Sequence, residues 1–135
     1  MFIRHTLVLT FVMTAVAAHA ETTETLRRAI IDEAAHSYNE AVKGCAAPML
    51  TQCLQREVRN ATETLAITYK SVENTLRSDP TQTAGLRASQ QAWLQFVKTN
   101  CGYLGSLTKD LNETQSCMLH YIQIRRSELH TYIGW

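Results

Sequence analysis

The sequence predicts an all-α fold, a small up-down helical bundle of three core helices plus an N-terminal helix. The chain of 135 residues contains only 5 Gly and 2 Pro, too few for a turn-rich β fold. Apolar residues recur at intervals of three and four along four stretches, and no stretch alternates apolar and polar residues as a half-buried strand does. The length suits a single domain.

Residues 1–20 have the pattern of a cleaved secretory signal peptide. Arg4 precedes an apolar run over 6–18, and Ala18-His19-Ala20 supplies the small residues that a signal peptidase reads. A retained membrane anchor is the alternative, but a bilayer span needs about 20 apolar residues and this run is shorter. We therefore expect cleavage after Ala20, a periplasmic or secreted protein, and no stable membrane insertion of the mature chain.

The first two mature helices are predicted from apolar stripes. An N-terminal helix is expected within 21–44, because apolar residues recur every four positions from Leu26 and Gly44 marks a stop. A second helix is expected over 50–78, ended by Pro80, since the residue before a proline avoids the helical region. Its apolar positions form a lengthwise seam: Leu54, Val58, Ala61, Leu65, Tyr69 (or Thr68), Val72 and Leu76.

The third and fourth helices are expected to be separated by a polar loop. The third begins near 81–84 and directs Trp93, Phe96 and Val97 into the core, and the fourth covers about 114–133. We expect Gly102 and Gly105 to end the third helix. The loop that follows, 106–115, is the candidate binding loop, and its polar residues are Ser106, Thr108, Lys109, Asp110, Asn112 and Glu113.

The four cysteines predict two disulfides at one end of the bundle. Outside the cytosol an even number of cysteines favours disulfides over a metal site, and the spacings do not suit zinc. Pairing Cys45 with Cys53 and Cys101 with Cys117 is favoured, because each bond then closes a loop between adjacent helices. Three connectivities remain open, including the crossed ones.

From Cys45 onward the chain resembles the LprI-type lysozyme inhibitor-like family of small exported bacterial proteins. The resemblance rests on the four cysteines, on Ser89-Gln90-Gln91-Ala92-Trp93-Leu94-Gln95-Phe96 before Cys101, and on further motif positions: Leu65, Tyr69, Arg126, Glu128 and Leu129. It implies a disulfide-bonded four-cysteine helical domain over 45–135. The N-terminal helix lies outside the matched part.

Three positions depart from the pattern usual in that family. Val97 stands where an Arg is usual, Ala66 where an Asn is usual, and Thr62 where an acidic residue is common. A polar network that relatives form on the helix-packing surface is therefore expected to be altered in this chain.

Composition and motifs favour a binding protein over an enzyme. Arg4 is the only charged residue within 1–20, so the formal net charge of +1 falls to zero in the mature chain, which argues against nucleic acid. No catalytic arrangement, cofactor motif or metal-ligand set is visible. The resemblance implies an exported, non-enzymatic protein that binds a protein partner outside the cytoplasm, with lysozyme as the leading guess. The alternative is a structural or envelope-stress module that docks on another envelope protein through its N-terminal helix.

Overall fold

A computed structural model describes the backbone of residues 4–133 and the side chains of residues 23–133. Over this range the chain forms four helices and no strand, which confirms the all-α prediction. The helices are α1 (Arg4–Val42), α2 (Leu50–Thr75), α3 (Pro80–Thr108) and α4 (Leu111–Ile133).

The predicted signal peptide coincides with the first part of α1. The side chains of residues 1–22 lie outside the described part of the chain, so cleavage after Ala20 stays a prediction. In the described part, no helix is both long and apolar enough to cross a membrane.

Helix α4 occupies the centre of the bundle. Short connections make successive helices antiparallel, and α4 packs against α1, α2 and α3, most extensively against α2. In contrast, α2 and α3 make little direct contact along their lengths. The bundle is therefore open between α2 and α3, and α4 closes its core.

The core follows the apolar stripes that the sequence predicts. On α2 the seam faces inward, and the most deeply buried large side chains are Val72 of α2 with Leu119 and Leu129 of α4. Burying a side chain of this kind stabilises the fold by about 1.5–3 kcal/mol. The core cluster consists of Val58, Ala61, Leu65, Val72, Leu86, Leu119, Ile122 and Leu129.

The second half of α1 belongs to this core. Ala34 is 1% exposed, and Tyr38, Ala41 and Val42 pack against the cluster. The ring of Tyr38 meets that of His120 edge to face, with 6.0 Å between centroids. One face of the helix is therefore buried over residues 34–42.

The turn between α2 and α3 is set by Asp79 and Pro80. The Asp79 carboxylate accepts a hydrogen bond of 3.0 Å from the backbone N–H of Gln82, and Pro80 occupies the first helical position, where no N–H is needed. The predicted stop at Pro80 is confirmed, although α2 itself ends at Thr75.

The prediction of a polar loop over 106–115 is wrong. Helix α3 continues through Gly102 and Gly105 to Thr108, and only Lys109 and Asp110 separate it from α4. Lys109 ends α3 in the left-handed conformation (φ 54°), and its N–H donates to the carbonyl of Gly105. Gly105 is needed for packing, because a Cβ there would overlap the hydroxyl of Thr114 on α4.

Candidate functional site

Both disulfides lie at the same end of the bundle, as predicted. Cys45 pairs with Cys53 and Cys101 pairs with Cys117, which confirms the favoured connectivity. The first bond ties the connection before α2 to that helix, and the second joins α3 to α4. This end is therefore cross-linked on both sides.

A hydrogen bond joins the two cross-linked halves. The hydroxyl of Thr51, at the start of α2, donates to Oδ1 of Asn112, at the start of α4, over 2.7 Å. The backbone N–H of Asn112 donates to the carboxylate of Asp110 over 2.8 Å. Two predicted loop residues thus hold the turn in place.

The other predicted loop residues divide into two groups. The hydroxyls of Ser106 and Thr108 donate to helix carbonyls at 2.7 and 3.1 Å, as polar side chains inside a helix commonly do. Lys109 and Glu113 are exposed, and neither forms an ion pair with another described residue. Of the predicted binding loop, these two charged side chains remain free to contact a partner.

Sequence reasoning missed an apolar surface at this end. Four large apolar side chains, each 50–63% exposed, surround the α3–α4 turn and the start of α2: Met49, Tyr103, Leu107 and Leu111. We call this set the tip patch. Leu107 and Leu111 fall within the segment assigned to the polar loop, and recognising its helices would have revealed them. Clustered exposed apolar residues on a rigid base are typical of protein-binding surfaces.

Several family-motif residues have structural roles around Arg125. Arg125, which is 5% exposed, donates to Gln90 Oε1, Ser89 Oγ and Glu128 Oε2, each at 3.0 Å. The Gln of the motif therefore accepts from a buried guanidinium, which joins α3 to α4. Sequence reasoning assigned no role to Arg125, although a charged residue within the apolar stripe of α4 is the signal that identifies it.

The remaining motif residues differ in burial. Leu65 and Leu129 are buried and Trp93 packs against the core, as predicted, but Phe96 is 49% exposed. Phe96 lies on the side of α3 next to the inward-facing Val97, and its ring contacts that of Tyr121 edge to face at 5.2 Å. Its assignment to the core is therefore wrong.

A groove of about 320 Å³ lies between α1, α2 and α4. Arg126 forms one wall, and its Nη2 donates to Ser37 Oγ over 2.7 Å, which ties α4 to α1. Arg126 Nε and Gln123 Oε1 are buried without a hydrogen-bond partner among the described residues. The groove is shallow and open to solvent, with a mixed polar and apolar lining.

The motif residue Tyr69 lies beside an exposed ion cluster near the α2–α3 turn. Hydrogen bonds from Lys70 (2.6 Å) and Arg87 (2.8 Å) lower the pKa of Glu73 below its usual value. Glu73 in turn raises the pKa of Arg87, with a smaller contribution from Tyr69. This cluster connects α2 to α3 where the two helices meet. In the described part of the chain, no group of three His, Cys, Asp or Glu side chains could hold a metal ion.

The fold and its cross-linked end define a small, disulfide-bonded helical protein with an apolar tip. The family model described as lysozyme inhibitor LprI matches residues 39–129, which is most of the chain. The chain therefore belongs to this family, and the resemblance noted in the sequence is confirmed. No curated protein and no solved structure matches the chain.

Proposed function

We propose that this chain is an exported, non-enzymatic binding protein that contacts a protein partner through the tip patch, with a lysozyme as that partner. The observation that carries the proposal is the position of the tip patch on a base held by two disulfides. A rigid base lowers the conformational entropy lost on binding, so more of the contact energy appears as affinity. Export is supported by the signal pattern and by the disulfides, which persist in oxidising compartments.

The composition of the tip suits a carboxylate-lined cleft such as that of a muramidase. Lys109 stands at the apex of the α3–α4 turn, exposed and without an ion pair among the described residues, so its ammonium group can donate to a partner's carboxylates. The tip patch around it supplies apolar contact area. Large apolar side chains at the centre of an interface supply most of the binding energy in many complexes, and a charged donor beside them favours one orientation of the partner.

The test is a turbidity assay of muramidase activity with several lysozyme types and the disulfide-intact protein. We expect inhibition by the wild-type chain, and a loss of affinity of tenfold or more for Leu107→Asp, because a charge would replace a central apolar contact. Lys109→Ala should lower affinity severalfold without changing the fold.

Ile67→Asp is the matched control. Ile67 is 73% exposed on α2 and lies about 24 Å along the helix from Thr51, at 1.5 Å per residue, so its substitution should leave inhibition unchanged. Equal effects of the two Asp substitutions would show that the tip is not the contact surface. Absence of inhibition at tenfold molar excess over every lysozyme tested would remove lysozyme as the partner.

A further inference from the structure

An apolar groove lies between α2 and α3, on the side of α4 away from α1. It has a volume of about 510 Å³, within the range of small-molecule sites. Its floor consists of the buried residues Leu65, Val97, Cys101 and Ile122, which come from three helices. We call it the α2–α3 groove. It exists because these helices meet near the Asp79–Pro80 turn and then separate toward the disulfide end.

Two of the three departures from the family pattern line this groove. Thr62 lies at its rim and Val97 in its floor, the two positions at which the resemblance noted in the sequence implies an acidic residue and an Arg in relatives. Such a pair would occupy part of the space between α2 and α3 with charged side chains. Thr and Val leave that space empty and almost entirely apolar.

Lys98 is the only charged residue that lines the groove in the described part of the chain. It is exposed at the rim and forms no ion pair with another described residue. An apolar floor beside a single free ammonium group is complementary to a molecule with an apolar chain and one negative head. We propose that the α2–α3 groove binds a free fatty acid, with the alkyl chain on Leu65, Val97 and Ile122 and the carboxylate at Lys98.

The two parts of the site make different contributions to affinity. Each methylene moved from water into the groove strengthens binding about fourfold, so the chain supplies most of the affinity. An exposed ion pair contributes less, about two- to fivefold at low salt. Chain length should therefore set the dissociation constant, and Lys98 should set the preference for an anionic head.

Trp93 is a built-in reporter, because it lines the groove. The sequence contains one other tryptophan, Trp135, so the Trp135→Phe chain reports from the groove alone. We would titrate this chain with monomeric dodecanoate, decanoate and dodecyltrimethylammonium while following Trp93 emission. Dodecanoate should saturate the signal at one molecule per chain and bind about fifteenfold more tightly than decanoate, because it has two more methylenes. The cationic amphiphile should bind severalfold more weakly than dodecanoate.

Two variants test the floor and the rim of the groove separately. Thr62→Glu with Val97→Arg places charged side chains at the rim and in the floor of the groove and should abolish dodecanoate binding. Its helical circular dichroism and melting transition would show that the chain still folds. Lys98→Glu should leave the fold unchanged and reverse the preference between the anionic and cationic amphiphiles. Leu107→Asp, in the tip patch, should bind dodecanoate like wild type, so this test is independent of lysozyme inhibition.

Three results would overturn the proposal. The first is the absence of saturable dodecanoate binding. The second is equal affinity for the two dodecyl amphiphiles in both wild type and Lys98→Glu, which would mean nonspecific partitioning. The third is a folded Thr62→Glu/Val97→Arg variant that still binds dodecanoate as wild type does. Loss of lysozyme inhibition in that variant, without dodecanoate binding by wild type, would instead identify the groove as part of a protein interface.

Discussion

Gly102 and Gly105 lie three residues apart in α3, yet alanine should have opposite effects at the two positions. A Cβ at Gly102 meets nothing within 4 Å, whereas a Cβ at Gly105 would overlap Oγ1 of Thr114 and lie 3.3 Å from its Cβ. Both positions are helical. Gly102→Ala therefore measures the effect of helix propensity alone. Gly105→Ala measures the same effect together with the cost of the close approach between α3 and α4.

The expected magnitudes follow from these contacts. Replacing Gly by Ala inside a helix stabilises by about 0.8–1 kcal/mol, so Gly102→Ala should gain nearly that amount. At Gly105 the same gain is opposed by an overpacking cost of about 1–3 kcal/mol. Thr114 can relieve the overlap only by rotating χ1, and a β-branched side chain in a helix has few alternative rotamers. The two variants should differ by about 1–3 kcal/mol.

Urea denaturation of the disulfide-intact proteins, followed by circular dichroism at 222 nm, measures this difference. Adding Thr114→Ala to Gly105→Ala should recover at least about 1 kcal/mol beyond the sum of the single effects, because it removes the overlapping hydroxyl. If Gly105→Ala stabilises as much as Gly102→Ala, or if the double variant shows no coupling, the close approach of α3 and α4 at this point is refuted.

Three further perturbations test other parts of the fold. Arg125→Met should cost about 2–4 kcal/mol in urea denaturation, since three partly buried hydrogen bonds from a charged group are lost. Met at the exposed Arg59 should change little, and equal effects of the two substitutions would contradict the network. Glu73→Gln should lower the melting temperature at pH 7. That deficit should shrink as the pH falls below 4.5, because hydrogen bonds lower the pKa of Glu73 in the folded state. The stability that the Glu73 carboxylate contributes is then lost as the pH falls through this lowered pKa. A deficit that stayed constant down to pH 3 would exclude this origin. Replacing Cys101 and Cys117 together by Ala should lower the free energy of unfolding by about 3 kcal/mol through loop entropy. The same replacement of Cys45 and Cys53 should cost about 2.5 kcal/mol, because their loop is shorter. A larger loss for the shorter loop would show that loop entropy is not the main contribution.

The helices and disulfides could be predicted from the sequence because their signals are local. The apolar residues of α2 recur at helical spacing from Leu54 to Val72. Pro80 marks a boundary between helices, because the residue before a proline avoids the helical region. Helix order placed the four cysteines at one end of the bundle and favoured the local pairing, while the crossed pairings stayed open until the structure was known.

The candidate site could not be predicted in the same way, because its main features depend on contacts between helices. Gly105 weakens a helix when only α3 is considered, but its missing Cβ is what allows Thr114 of α4 to approach. The sequence therefore suggested a flexible polar loop where the fold has a tight turn. Arg125 was overlooked for a related reason: its partners, Ser89 and Gln90, are about 35 residues away in the chain and on another helix.

The central position of α4 also determines when the chain can fold. α4 is the last of the four described helices to be synthesised, and the other three bury most of their apolar faces against it rather than against each other. A chain still lacking residues 111–133 lacks Leu119, Ile122 and Leu129, three of the eight residues of the core cluster. The core is therefore expected to form only after α4 has been synthesised, and the contacts that hold the other three helices together form last.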